Sequence, residues 1–200
     1  MRPVDRDWLA RPVLDVAPEL LGCQVSIRGV TVRLTEVEAY AGQVDPGSHA
    51  FRGPTRRNEV MFVEAGHLYV YLSYGMHLCA NLVTGESGSA SAVLLRAGEV
   101  VAGREVVAAR RGGVSERDWA RGPGRLGATL ALSREDNGID LCGRASAVGL
   151  ERPVRPLDPS VIRTGPRVGV SGAGGDADAY PWRFWIDGEP TVSAYRPGRL

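Results

Sequence analysis

Apolar and polar positions alternate with period two through "CQVSIRGVTVRLTEVEAY", residues 23–40, on both sides of Gly29. That pattern predicts a hairpin of two strands. A second alternating stretch, "HLYVYLSYGMHLCANLV" at 67–83, predicts another hairpin with its tip at Tyr74-Gly75, and the apolar run "SAVLLRA" at 91–97 supplies a further strand. "DVAPELLG" at 15–22 reads as a short helix with Asp15 as N-cap, Pro18 in its first turn and Gly22 just past its end. From about 99 to 132 the period lengthens to that of a helix, through "EVVAGREVVAARR", then "SERDWA" capped by Ser115, then "RLGATLAL" after a Gly-Pro-Gly turn. The remainder returns to strands at "PRVGV" and "WRFWIDGEPTVS", with Asp187-Gly188 as a turn and "SGAGGDADA" at 171–179 as a surface loop. Strands and helices occur in separate blocks, so the expected class is α+β with a largely antiparallel sheet.

Composition narrows the picture only slightly. A chain of 200 residues with 44% hydrophobic content can bury about 70% of its unfolded surface as one domain over residues 1–200. The formal charge of +1 gives no electrostatic hint of a polyanionic partner. Every basic residue is Arg, so no lysine amine is present to form a Schiff base. Cys23, Cys79 and Cys142 are far apart, which suggests neither a disulfide framework nor a zinc site. No metal or cofactor is expected. The N-terminal "MRPVDRDWLARP" lacks an apolar core, and no window approaches 18 apolar residues, so a reduced interior and no membrane are expected.

The chemistry-bearing positions cluster in the two hairpins. Strict alternation puts Val30, Val32, Leu34, Glu36 and Glu38 on one strand face, which carries both glutamates into the interior or a cleft unless the strand emerges into solvent after Leu34. A buried carboxylate needs a partner, and Arg96 at the end of "AVLLR" is a candidate to orient one, or an ordinary strand-end charge. Tyr69 and Tyr71 share a face, whereas Tyr74 falls at a hairpin tip beside Gly75 and Met76. Aromatic residues suit sheets in general. An apolar tip also suits a partner contact or a wedge that separates stacked bases. Tyr40, His49, Asn81 and the basic loop "FRGPTRRN" add polar and aromatic groups nearby in sequence.

In order, "TEVEAY", "SHAFRGPTRRNEVMF", "LYVYLSYGMHLCAN", "VLLRA", "GPGRL" and "RVGV" make the chain resemble the alkyladenine (3-methyladenine) DNA glycosylase family, from "LARPVLDVAPELLG" to "FWIDGEPTVS". The resemblance implies a curved antiparallel sheet flanked by helices, with a protruding hairpin that inserts into DNA. It implies a monomeric base-excision repair enzyme that flips alkylated or deaminated purines out of double-stranded DNA and hydrolyses the N-glycosidic bond. Such an enzyme works in a bacterial cytoplasm or a eukaryotic nucleus. By the same resemblance Glu38 is the catalytic base, Arg96 helps hold the water and Glu38, and the Val168 carbonyl contacts that water. Tyr40, His49 and Tyr71 wall the base pocket, and Asn81 crowds the amino group of normal guanine. Tyr74 enters the minor groove with Met76 beside it, and Arg125 contacts phosphate where the family commonly has Lys. The segment "TGESGSAS" varies in length among relatives. Two other readings are a non-catalytic damage-recognition module, which needs no carboxylate, and a hydrolase of free nucleosides, which needs no apolar hairpin tip.

Lysine's absence sets the reaction class: the enzyme is expected to be monofunctional and to leave an intact abasic site. Incubation with methylated duplex DNA and borohydride should trap no covalent protein–DNA adduct, as read by denaturing electrophoresis. A trapped adduct accompanied by efficient strand cleavage would contradict this.

Overall fold

The computed structural model describes residues 1–142 and 148–198. The strand reading of the C-terminal part also covers 143–147, which lie outside the described residues.

In chain order the strands are β1 (Arg2–Pro3), β2 (Gln24–Ile27), β3 (Val30–Tyr40), β4 (Leu68–Ser73), β5 (His77–Thr84), β6 (Ser91–Ala102), β7 (Val148–Arg152), β8 (Ile162–Gly165) and β9 (Arg183–Ile186). Among the described residues they form one nine-stranded sheet in the order β1-β7-β2-β3-β6-β5-β4, with β9 pairing β3 and β8. Every named ladder is antiparallel. Helices α1 (Arg6–Leu9), α2 (Val13–Glu19), α3 (Arg104–Arg110) and α4 (Pro123–Thr129) complete an α+β fold, as the segregated pattern predicts.

Both predicted hairpins form. Arg28 and Gly29 turn with φ of 48° and 78° between β2 and β3, the left-handed pair that matches strand twist. Tyr74 and Gly75 do the same between β4 and β5, closed by the Met76 amide donating to the Ser73 carbonyl at 3.0 Å.

Strict alternation along β3 does not hold. Leu34 pairs with Gly98 and Glu36 with Ala97, so Thr35 is an extra residue. Then Val37 pairs with Leu95, so Arg96 is extra on β6. A bulge reverses which face later residues occupy. Val30, Val32 and Leu34 join the main core, but beyond Thr35 it is Val37 and Ala39 that do so. Glu36, Glu38 and Tyr40 therefore face the opposite side. At the same place β3 exchanges one neighbour for another: residues up to Arg33 pair β2, and Glu36–Glu38 pair β9. Thr35 is buried there, its hydroxyl 2.8 Å from that of Thr191.

Four local expectations are corrected. Helix α2 begins at Val13 after Pro12, so Asp15 lies in the first turn and Pro18 in the last, while Gly22 does turn with φ 79° beyond the end. Strand β6 runs to Ala102, because its residues pair β3 up to Thr31, and the helical pattern begins only after Gly103 at φ 76°. "PRVGV" is a turn rather than a strand, since Arg167 is engaged by its side chain instead of by a ladder. "SGAGGDADA" is not simply a surface loop: Gly174 is buried, and its carbonyl accepts from Arg167 at 2.8 Å.

Alternation on β4, β5 and β6 splits the sheet between two environments. Leu68, Val70, Ala80, Leu82, Val93 and Leu95 enter the main core against the helices. On the other face Tyr69, Val83 and Ala92 pack with Ala50 and Met61 in a second, smaller cluster. Helix α4 reaches the sheet because Gly127 has no side chain: a Cβ there would collide with the Leu78 carbonyl. Gly127→Ala should therefore displace α4 and lower stability by about 1–3 kcal/mol, measurable as a reduced urea midpoint with an unchanged slope.

Candidate active site

The face opposite the core opens into a cleft of about 1020 Å³. Register explains its floor. Glu38 pairs with Leu94, Leu94 with Asn81, and Asn81 with Tyr69, so one row of side chains crosses β3, β6, β5 and β4. Neighbouring strands lie about 4.8 Å apart, which sets roughly 14 Å between the ends of that row. Tyr40, His49, Tyr71 and Arg96 complete the lining with the 168–171 turn.

Glu38 is fully buried, yet no oxygen is left without a donor. The Val168 amide donates to Oε1 at 2.6 Å and the Tyr40 hydroxyl to Oε2 at 2.9 Å. The Arg96 Nη1 lies 3.4 Å from Oε1. Burial, then the Glu38 charge, push the Tyr40 phenol well above its usual range, so it stays protonated and donates. Arg96 is itself fixed by Glu36, to which its Nε donates at 3.0 Å. Glu36 also accepts from Arg183 Nε at 2.7 Å, from the Ser193 amide at 2.7 Å and from the Ser193 hydroxyl at 3.0 Å. Burial opposes the charge on Arg96, but Glu38 and Glu36 outweigh it and hold the guanidinium protonated.

Aromatic walls stand over this floor. The rings of His49 and Tyr71 meet edge to face at 4.6 Å, and Tyr69 stacks on Tyr71 at 5.7 Å with 25° between planes. His49 Nδ1 lies 3.2 Å from the Tyr69 hydroxyl. Burial, and then the nearby Arg57, lower the His49 pKa, so the ring is neutral at pH 7. The Asn81 amide group donates to the Tyr69 carbonyl at 3.3 Å, which fixes its orientation in the row.

The hairpin tip contrasts with all of this. Tyr74 is 87% exposed at φ 49°, a conformation unfavourable for a bulky residue, and Met76 is 73% exposed. Tyr74 borders the cleft mouth. Neither residue gains burial, so the protein's own packing does not account for them.

The structure thus brings Glu38, Tyr40, His49, Tyr71, Tyr74, Asn81, Arg96 and Val168 to one cleft. Met76 stands at the tip, and Arg125 stands half-exposed on α4 with Nη1 3.3 Å from Asp118. Arg125 is not among the lining residues, although its helix reaches the cleft through Pro123. The Val168 group aimed at Glu38 is its amide. Sequence reasoning missed Arg57, whose guanidinium lies 5.8 Å over the Tyr71 ring, and the pair Asp45–Arg167. Arg57 lay in the quoted basic loop, but nothing distinguished it from Arg52 and Arg56. Asp45 and Arg167 are 122 residues apart, with no local signal that they meet. The described residues hold no group of three or more His, Cys, Asp or Glu arranged for a metal, and no helix long and apolar enough to cross a membrane.

The α+β sheet thus sets a bonded carboxylate in a cleft lined by aromatic rings, beside an exposed aromatic tip. The profile of the family described as "Methylpurine-DNA glycosylase (MPG)" matches residues 7–190. A curated protein of Streptomyces avermitilis named "Putative 3-methyladenine DNA glycosylase" is 50% identical over 200 residues, covering 97% of this chain and 92% of its own. Proteins of the same name from Frankia casuarinae and Leifsonia xyli are 53% and 51% identical, each covering 96% of this chain, with 93% and 92% of their own lengths matched. The chain belongs to the methylpurine-DNA glycosylase family, which places it among the DNA glycosylases of base excision repair.

The neutral His49 has a consequence for stability. Its folded-state pKa lies below the usual 6.5, so the contribution is full above pH 6.5 and is lost as pH falls through the folded value. The stability difference between wild type and His49→Gln should shrink on going from pH 7 to pH 5. Urea denaturation at several pH values checks it; a constant difference would refute it.

Proposed function

We propose that this glycosylase releases alkylated purines, 3-methyladenine and 7-methylguanine foremost, with hypoxanthine and ethenoadenine as further candidates that depend on pocket detail, from duplex DNA by flipping the damaged nucleotide into the cleft. The observation that supports the reading best is the Glu38 carboxylate at the cleft floor, held by the Val168 amide and the Tyr40 hydroxyl beneath aromatic walls.

The energy balance permits it. Extruding a nucleotide costs a few kcal/mol, least for a damaged pair, and stacking returns roughly 1–3 kcal/mol per base. A purine alkylated at N3 or N7 carries positive charge, for which tyrosine faces supply about 0.5–2 kcal/mol more. Tyr40, His49 and Tyr71 are the stacking walls, and Asn81 crowds the exocyclic amino group of normal guanine. Tyr74 takes the place vacated in the duplex with Met76 beside it, and Arg125 meets a phosphate.

The chemistry needs little from the leaving base, because a cationic purine departs as a neutral molecule when the C1′–N electron pair goes with it. Positive charge then develops on the sugar. The Glu38 carboxylate stabilises that cation and takes a proton from the attacking water, whose oxygen bonds to C1′. Arg96 and the Val168 backbone orient Glu38 and the water. The product is an abasic site in an intact strand, in keeping with the lysine-free sequence. A recognition module would not require a carboxylate at the cleft floor, and a nucleoside hydrolase would gain nothing from an exposed Tyr74.

Glu38→Gln keeps the hydrogen-bonding shape but removes the charge and the base. It should bind 7-methylguanine duplex within about threefold of wild type, while single-turnover base release falls by about 10²–10⁴-fold. Chromatography of released bases gives the measurement, and an active Gln variant would remove Glu38 from its role.

A further inference from the structure

The buried ion pair behind the cleft has a bearing on which bases the cleft accepts. Arg167 and Asp45 are both without side-chain exposure, joined by two bonds of 2.6 and 2.7 Å. Arg167 also donates to the carbonyls of Ala39 at 2.9 Å and Gly174 at 2.8 Å. Its guanidinium carbon sits 4.5 Å over the Tyr40 ring, with Trp182 at 5.4 Å and Tyr180 at 5.6 Å. Space for it is made by Gly47, where a Cβ would lie 2.5 Å from Nη2. Asp45 is fixed in turn by the amides of Gly47 at 2.8 Å and Ala41 at 3.1 Å. Tyr40 lines the cleft and Arg167 does not, so the guanidinium occupies the side of that ring turned away from the ligand.

A ring already holding a cation on one face is a poor platform for a second cation on the other, because both draw on the same quadrupole and repel each other directly. Asp45 changes this by making the group behind the ring neutral overall. We propose that the Asp45–Arg167 pair sets the charge preference of the cleft: the paired carboxylate cancels the guanidinium behind Tyr40 and so allows a cationic base to stack on its open face. This rests on the assignment of Tyr40 as a wall for the flipped base. Across roughly 10 Å at an effective dielectric of about 20, one uncompensated charge alters binding about tenfold, or about 1.4 kcal/mol.

The two members of the pair make opposite predictions, which a general loss of packing would not. The probes are duplexes carrying one 2′-fluoro-7-methylguanine, which is cationic and resists hydrolysis, or its neutral 7-deaza isostere, with an undamaged duplex as reference. Binding is measured by fluorescence anisotropy, and the readout is the ratio of affinities, cationic over neutral. Asp45→Asn leaves the guanidinium bare and should lower that ratio about tenfold. Arg167→Gln leaves a planar neutral group on the ring and the carboxylate bonded to two amides, and should raise it at least threefold. A ratio within twofold of wild type in either folded variant overturns the proposal, and if Asp45→Asn does not fold, Arg167→Gln alone decides it. Wild type binding both lesion duplexes no better than undamaged DNA would instead defeat the base-flipping reading itself.

Discussion

One surplus residue in the longest strand pairing decides where this protein can do chemistry. Were Thr35 paired in regular register, the alternation that sends Val30, Val32 and Leu34 into the core would send Glu36 and Glu38 after them, into surroundings with no partner for a carboxylate. The bulge reverses the alternation, so Val37 and Ala39 continue the core while both glutamates face the opposite side, where Glu38 lines the cleft. Arg96 is displaced from the opposing strand at the same place, which sets its guanidinium between the two carboxylates at 3.0 and 3.4 Å. Backbone irregularity and charge pairing are therefore one feature. Moving the bulge by a residue would strand an acid in the core and leave the arginine without partners.

Burying so much charge is tolerable only because it is matched. Glu36, Glu38 and Asp45 are balanced by Arg96, Arg183 and Arg167, all buried. Removing one partner of such a pair typically costs about 3–5 kcal/mol, whereas replacing both with apolar groups is often neutral. Stability alone thus does not explain the network. What it supplies is fixed geometry: Glu36 takes four bonds and holds Arg96, and the Val168 amide and Tyr40 hydroxyl hold Glu38. The C-terminal segment contributes through Ser193, which ties the end of the described chain to the cleft floor across 157 residues.

How much of this was legible in the sequence depended on range. The hairpins could be read because their signals are local: alternation on either side of Arg28-Gly29 and of Tyr74-Gly75. Buried glutamates could be anticipated from alternation, although strict alternation puts them on the face of Val30, Val32 and Leu34, and the bulge turns both to the opposite side, where Glu38 lines the cleft. The one local hint of the bulge was Gly98 in the interior of β6, where a Cβ would collide with the Arg33 carbonyl, and a lone strand glycine does not say which residue opposite it is surplus. Helical periodicity at 99–102 misled because the end of β6 keeps apolar Val101 and Ala102 on exposed positions beside buried Val100, so these four residues show no period-two alternation. Seven of the eight expected site residues that line the cleft were singled out by residue type and pattern, whereas Val168 and the role of each came from the resemblance. Asp45 and Arg167 escaped both, since an Asp-Pro-Gly turn and an Arg before a Val each have ordinary local explanations.

The hairpin tip shows the opposite trade from the floor. The Glu38 and Glu36 carboxylates of the floor are buried and hydrogen-bonded, whereas Tyr74 and Met76 expose large apolar side chains on a strained turn. In an isolated protein that arrangement lowers solubility and gains no packing. It becomes favourable when an apolar surface is brought to it, and under the proposed function the interior of a duplex is that surface. The rigid floor and the exposed tip are joined by β4, whose alternation gives Tyr69 and Tyr71 to the cleft before the turn presents Tyr74 outward. A single strand therefore couples the group that would enter the duplex to the rings that would receive what leaves it. The distance between the two is fixed by backbone hydrogen bonds, with no flexible segment between them.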